Sequence, residues 1–215
     1  MEITQEAKKI RQALKESQDF DGNPIDLILP VVLPFRGNGE IKLIILGQDP
    51  TIKNVTSRKK ITCTLNLDKN NALKTYVNRI CSELDITIDN VYATNLFKYF
   101  YTERPAKTID VLINHLQPNL DLLQRELSEF KNIPVITLGE PVLQLITNEY
   151  EKVREFWDYN QKTKTTDGRF TNSHAKDNQL NRDFFPFPHQ PSIRNEFYKK
   201  TLTDYLQFMK TEMIH

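Results

Sequence analysis

The chain has 215 residues, 39% hydrophobic and 27% charged, with a formal net charge of +1; this is the profile of one sizeable globular domain, and the near-neutral total argues neither for nor against a nucleic-acid partner. No apolar run approaches the ~20 residues that a membrane-spanning helix needs, and the polar start MEITQEAKKIRQALKESQ lacks the pattern of a secretory signal. Cys63 and Cys81 are too few for a disulfide framework or a four-cysteine iron–sulfur cluster and lack metal-ligand spacing, so a reducing, cytoplasmic setting is expected.

Residues 4–19 carry Ala7, Ile10 and Leu14 on one stripe among charges, which predicts an amphipathic helix. The following stretch, DGNPIDLILPVVLPFRGNGE, is punctuated by Pro and Gly and reads as a loop. IKLIILG (41–47) is a continuous apolar run of the length expected for a strand buried on both faces of a parallel sheet. Residues 51–66 read as a long irregular loop. Its Lys53, Arg58, Lys59 and Lys60 form either a phosphate contact or a solvated face.

Leu73, Val77, Ile80, Cys81 and Leu84 then recur at helical spacing, which predicts a helix over 68–84 capped by Asp68 or Asn70. VYATNLF is a second strand ending near Asn95. A helix over 108–130 is expected to kink or split at Pro118. IPVITLG (133–139) is a third strand, followed by a short helix in EPVLQLITNEY. A polar stretch with a turn signal at Asp167-Gly168 leads to DFFPFP, a fourth strand in spite of its two prolines. Phe184, Phe185 and Phe187 in that strand read as core. The last helix covers 194–213.

Alternating strands and helices predict a three-layer α/β/α domain with a short, mainly parallel, four-stranded central sheet. It spans 1–215 as a single unit, with an N-terminal helical segment at about 1–20. Ligands of such sheets bind beyond the carboxyl ends of the strands. Asp49 follows the first strand, Asn95 ends the second and His189 follows the fourth, so all three are expected along one edge.

Gly47-Gln48-Asp49-Pro50 after a buried strand, then Asn95, then His189-Gln190-Pro191-Ser192, in that order, resembles the uracil-DNA glycosylase superfamily. The likeness extends from about residue 30 to 200. It implies the family's α/β/α fold and excision of uracil or a related damaged base from DNA by hydrolysis of the N-glycosidic bond, a step of base excision repair. Asp49 and His189 would be catalytic, the first serving the attacking water and the cationic sugar, the second the departing base. Gln48, Thr51, Thr64, Leu65 and Asn95 would surround a flipped-out base, and Lys98, Pro191, Ser192 and Arg194 would contact DNA. The resemblance implies no metal or organic cofactor, no membrane and a monomer acting on DNA.

The chain departs from the family pattern at several places. Thr51 stands where the best-known branch has the Tyr that excludes thymine. Residues 61–67, ITCTLNL, offer no aromatic ring to stack on a base, and Gln190 is inserted between His189 and Pro191. Lys98 and Arg104 match a pattern of the iron–sulfur branch whose cluster cysteines are missing here. A catalytically inactive relative that binds DNA or a protein partner is therefore the alternative. An unrelated hydrolase or transferase finds no Gly-rich phosphate loop and no Gly-x-Ser-x-Gly turn in its support.

Overall fold

A computed structural model describes residues 3–17, 25–104, 109–147 and 151–213. Its five strands are β1 (Phe35–Arg36), β2 (Leu43–Gly47), β3 (Val91–Asn95), β4 (Val135–Leu138) and β5 (Phe184–Phe187). They form one sheet in the order β1–β3–β2–β4–β5. β3, β2, β4 and β5 run parallel to their neighbours, and β1 pairs with β3 antiparallel. The four expected strands are present; the fifth, β1, lies in the stretch read as a loop. At two residues it is too short to show any periodicity.

Every residue of β2, β3, β4 and β5 is buried. Successive side chains of a strand point to opposite faces, so the sheet is covered on both. The covering helices fall into two groups, α1 (Ile3–Glu16) with α4 (Ile109–Leu127) and α5 (Glu140–Ile146), and α3 (Ala72–Glu83) with α7 (Glu196–Glu212). Two single-turn helices, α2 (Val55–Arg58) and α6 (Val153–Phe156), lie in stretches where the sequence offers too few residues for a helical stripe. The chain folds as the expected α/β protein. Among the described residues no helix is long and apolar enough to cross a membrane.

Local differences from expectation have identifiable causes. The cap of α3 is Asn71, whose Oδ1 accepts from the Lys74 N–H at 2.9 Å, while Asp68 instead accepts from Thr62 Oγ1 and Cys63 Sγ. α4 continues through Pro118 without a break; the ring removes one donor and leaves the rest of the ladder to hold the helix. Residues 18–24, 105–108 and 148–150 lie outside the described residues, and with them the end of the helix predicted over 4–19, the start of the one predicted over 108–130 and the end of EPVLQLITNEY. β5 accommodates Pro186 because it is an edge strand with a ladder on one side only. Phe184, Phe185 and Phe187 are core residues at 0%, 5% and 0% exposure.

Candidate active site

Parallel register aligns the strand ends. Gly47 of β2 pairs with Asn95 of β3, and Leu138 of β4 pairs with Phe187 of β5. Pairing runs past the strands: the Leu96 N–H donates to the Gly47 carbonyl at 2.9 Å and the Phe97 N–H to the Gln48 carbonyl at 2.8 Å. The Gly47-Gln48-Asp49-Pro50 turn is thereby fixed against the segment that follows β3.

Asp49 is half-buried at the head of this turn. Its Oδ1 accepts from the Thr51 N–H at 2.7 Å and its Oδ2 from Gln48 Nε2 at 2.8 Å. Burial pushes the carboxyl up to about 6, against the opposing pull of hydrogen bonds from Thr51 and Gln48 and of the Arg58 charge. The carboxylate thus ionises near neutrality, a setting suited to a group that must act as a base or stabilise a cation. Gln48 orients Asp49 with its side chain. The Thr51 hydroxyl accepts from the Tyr101 N–H at 2.8 Å.

Asn95 is 1% exposed, and its Oδ1 has no hydrogen-bond donor among the described residues. A methyl group at Gly47 would lie 2.4 Å from that oxygen and 3.1 Å from Leu65 Cδ2. Glycine is therefore required by the close approach of Asn95, and Leu65 closes over the same spot. Leu65 (φ 56) and its neighbour Asn66 (φ 52) both hold left-handed backbone, an uncommon state for leucine of the kind that clusters at binding sites. Thr64, at 1% exposure, directs its hydroxyl to the Leu33 carbonyl at 3.2 Å. Gly47→Ala is expected to destabilise the protein by about 1–3 kcal/mol, the range for overfilling a packed site; urea unfolding measures the loss, and a displaced Asn95 side-chain amide resonance locates it.

His189 stands beyond β5, on the same edge of the sheet. Gly139, with φ +98, ends β4 beneath it, and a side chain there would meet His189 Cβ at 3.2 Å. His189 is exposed at this rim, and partial desolvation by the surrounding protein lowers the pKa of its imidazole, which favours the neutral ring at neutral pH. The His189 carbonyl accepts from the Ser192 and Ile193 N–H groups at 2.8 and 3.2 Å, which winds Ser192–Arg194 into a single 3-10 turn. Pro191, Ser192 and Arg194 are exposed there. A cavity of about 440 Å³ beside His189 is lined by Gly139, Arg154, Tyr159 and Tyr198, and neither Asp49 nor Asn95 lines it. Asp49, Asn95 and Leu65 thus cluster beyond β2 and β3, and His189, which leaves β5, packs against Gly139 beyond β4, the strand next to β2.

The model of the uracil DNA glycosylase superfamily matches residues 34–211. The chain belongs to that superfamily. No curated protein matches it.

For this superfamily member one expected DNA contact is corrected. Lys98 is 2% exposed and presents nothing to a phosphate. Its ammonium reaches Glu126 Oε2 at 2.6 Å, Thr94 Oγ1 at 2.8 Å and the Asn95 carbonyl at 2.9 Å. Glu126 also accepts from the Tyr92 hydroxyl at 2.6 Å. Lys98 is thus an internal support beneath Asn95. Arg104, the other residue of that pattern, is exposed.

Several residues around Asp49 carried no sequence signal. The Tyr101 hydroxyl and His115 Nδ1 are 3.0 Å apart, and Asn119 donates to the Tyr99 hydroxyl at 2.9 Å. Burial, with the nearby Asp49 charge adding to it, keeps both phenols protonated. Burial also takes His115 down to about 4, so that ring is neutral. These side chains come from α4 and from the stretch after β3, and only folding brings them behind the carboxylate.

Proposed function

We propose that the protein is a monofunctional DNA glycosylase of base excision repair, which hydrolyses the N-glycosidic bond of uracil or a related damaged base. The observation that carries this reading is the buried, unpartnered Asn95 Oδ1 beside the Asp49 turn at the carboxyl edge. An amide oxygen without a donor suits the N–H edge of a flipped-out pyrimidine, and the Asn95 Nδ2 can donate to an adjacent carbonyl of the same base.

Cleavage builds positive charge on the sugar and negative charge on the departing base. The Asp49 carboxylate stabilises the oxocarbenium-like sugar and holds the attacking water. Neutral His189 donates toward the base oxygen that gains charge. Both groups stand beyond the carboxyl ends of neighbouring strands, and the exposed Pro191, Ser192 and Arg194 after His189 would grip the phosphates beside the base site. Thr51 and Leu65, both smaller than an aromatic ring, widen the base site and make thymine-like bases candidates along with uracil. The protein acts as a monomer in the cytoplasm under this reading.

The test uses single- and double-stranded oligonucleotides carrying uracil, hypoxanthine or a T·G mismatch, followed by alkaline cleavage of abasic sites. Strand breaks at one of these bases, lost in His189→Ala and Asp49→Asn, support the proposal. DNA binding without any cleavage supports the inactive alternative instead.

A further inference from the structure

Four basic residues follow the Asp49 turn, and the structure separates one from the rest. Lys53, Lys59 and Lys60 are exposed, whereas Arg58 is 4% exposed. A guanidinium withdrawn from water needs compensating acceptors. Arg58 finds them on two different loops: Nε donates to the Ile52 carbonyl at 2.8 Å, and Nη1 donates to the Tyr101 and Thr102 carbonyls at 2.7 and 2.9 Å. Ile52 is three residues beyond Asp49, and Tyr101 and Thr102 belong to the stretch after β3.

Tyr101 is held at both backbone groups, since its N–H donates to Thr51 Oγ1 while its carbonyl accepts from Arg58. Thr51 in turn donates its own N–H to Asp49 Oδ1. The contacts close a ring that runs from Arg58 through Ile52 and Thr51 to Tyr101 and back to Arg58, and the Thr51 N–H holds Asp49 to that ring. We propose that Arg58 is a positioning residue, a buried clamp that fixes the Asp49 turn against the segment after β3 and thereby sets where the carboxylate stands and the field it feels.

The inference rests on the reading of Asp49 as the reacting carboxylate. The groups facing Asp49 are the Gln48 amide and Thr51 of its own turn, Arg58 of α2, and the phenols Tyr99 and Tyr101 after β3. Behind those phenols stand neutral His115 and Asn119 of α4, and the Arg11 charge of α1 reaches Tyr99. Arg58 is the cation of this set that acts on Asp49 itself. A lysine in its place would keep the charge but could not span carbonyls on two loops with a planar fork.

The test compares wild type, Arg58→Met, Arg58→Lys and Thr51→Val. The Asp49 carboxylate is titrated by carbon-13 NMR, with its resonance assigned from Asp49→Asn, and base release is measured across pH. In Arg58→Met the Asp49 titration is expected to move to higher pH by up to about one unit. The acid limb of kcat is expected to move with it, and kcat to fall by about 10–100-fold with KM little changed, the scale of a misplaced catalytic group. Arg58→Lys is expected to keep the titration near wild type and still lose rate. Thr51→Val, which cuts the ring opposite Arg58, is expected to lose rate as well.

A folded Arg58→Met protein with wild-type kcat and an unmoved Asp49 titration overturns the proposal. If Arg58→Met does not fold, Arg58→Lys and Thr51→Val decide, and wild-type kcat in both overturns it. Should wild type release no base, the glycosylase reading fails by itself. The NMR titrations then decide whether Arg58 governs Asp49: a shift in Arg58→Met, or in Arg58→Gln if that protein does not fold, upholds the clamp, and an unmoved titration refutes it.

Discussion

Asp49→Asn is expected to abolish base release while making the folded protein more stable at neutral pH. The loss of activity is expected to be about 10²–10⁴-fold, the range for removing a group that handles a proton or water in the transition state. The gain in stability follows from proton linkage. The carboxyl is raised from 3.8 to about 6 by burial. Between those values the folded chain keeps a proton that the unfolded chain has released, so folding stability falls as pH rises through the window. Above pH 6 the ionised group costs up to about 3 kcal/mol by this linkage, less whatever the residual solvent contact of Asp49 relieves. Asparagine never ionises, and its Oδ1 can still accept from the Thr51 N–H.

Urea melts of the two proteins at pH 4 and pH 7.5 are expected to diverge only at the higher pH, with the variant more stable. In wild type kcat/KM is expected to climb about tenfold per pH unit below pH 6 and then level. A variant that is less stable at pH 7.5, or a rate profile flat down to pH 4, would contradict this account of the carboxylate.

Lys98→Met is the second large effect expected, and it falls on stability. Removing the ammonium leaves the Glu126 carboxylate 2% exposed, with the Tyr92 hydroxyl as its remaining hydrogen-bond donor. Breaking a buried pair from one side costs about 3–5 kcal/mol, because the surviving charge stays in the interior. The double variant Lys98→Met/Glu126→Met removes both charges and is expected to recover most of that loss. DNA affinity separates this role from a phosphate contact. A lysine that neutralises a phosphate contributes about 0.9 to the slope of log K against log salt, so the double variant is expected to keep the wild-type slope. A slope reduced by about one would return Lys98 to the DNA-contacting surface.

Parts of the molecule were legible because they rest on local chemistry. IKLIILG and IPVITLG are strands because continuous apolar runs of that length suit a sheet covered on both faces, and β2 and β4 are buried throughout. Gly47-Gln48-Asp49-Pro50 could be placed at a strand end because a turn motif follows the run directly. The ordered likeness to the superfamily agrees with the match over residues 34–211. β1 was not legible, since two residues carry no period. Asn71 caps α3 rather than Asp68 or Asn70, and the sequence cannot rank three cap-forming residues that stand within four positions.

The sequence by itself determined the α/β alternation, the turn that carries Asp49 and the order of Asn95 and His189 behind it. Tertiary structure alone decided which cations face inward. Lys98 and Arg58 belong to residue types that are most often solvated, and nothing adjacent to them in sequence marks them as different. Lys98 is buried because Glu126, 28 residues later, supplies its counter-charge. Arg58 is buried because backbone carbonyls on two loops converge on its guanidinium. Burial of a charge depends on partners that meet only in the folded chain, and so it cannot be read from the residues beside it.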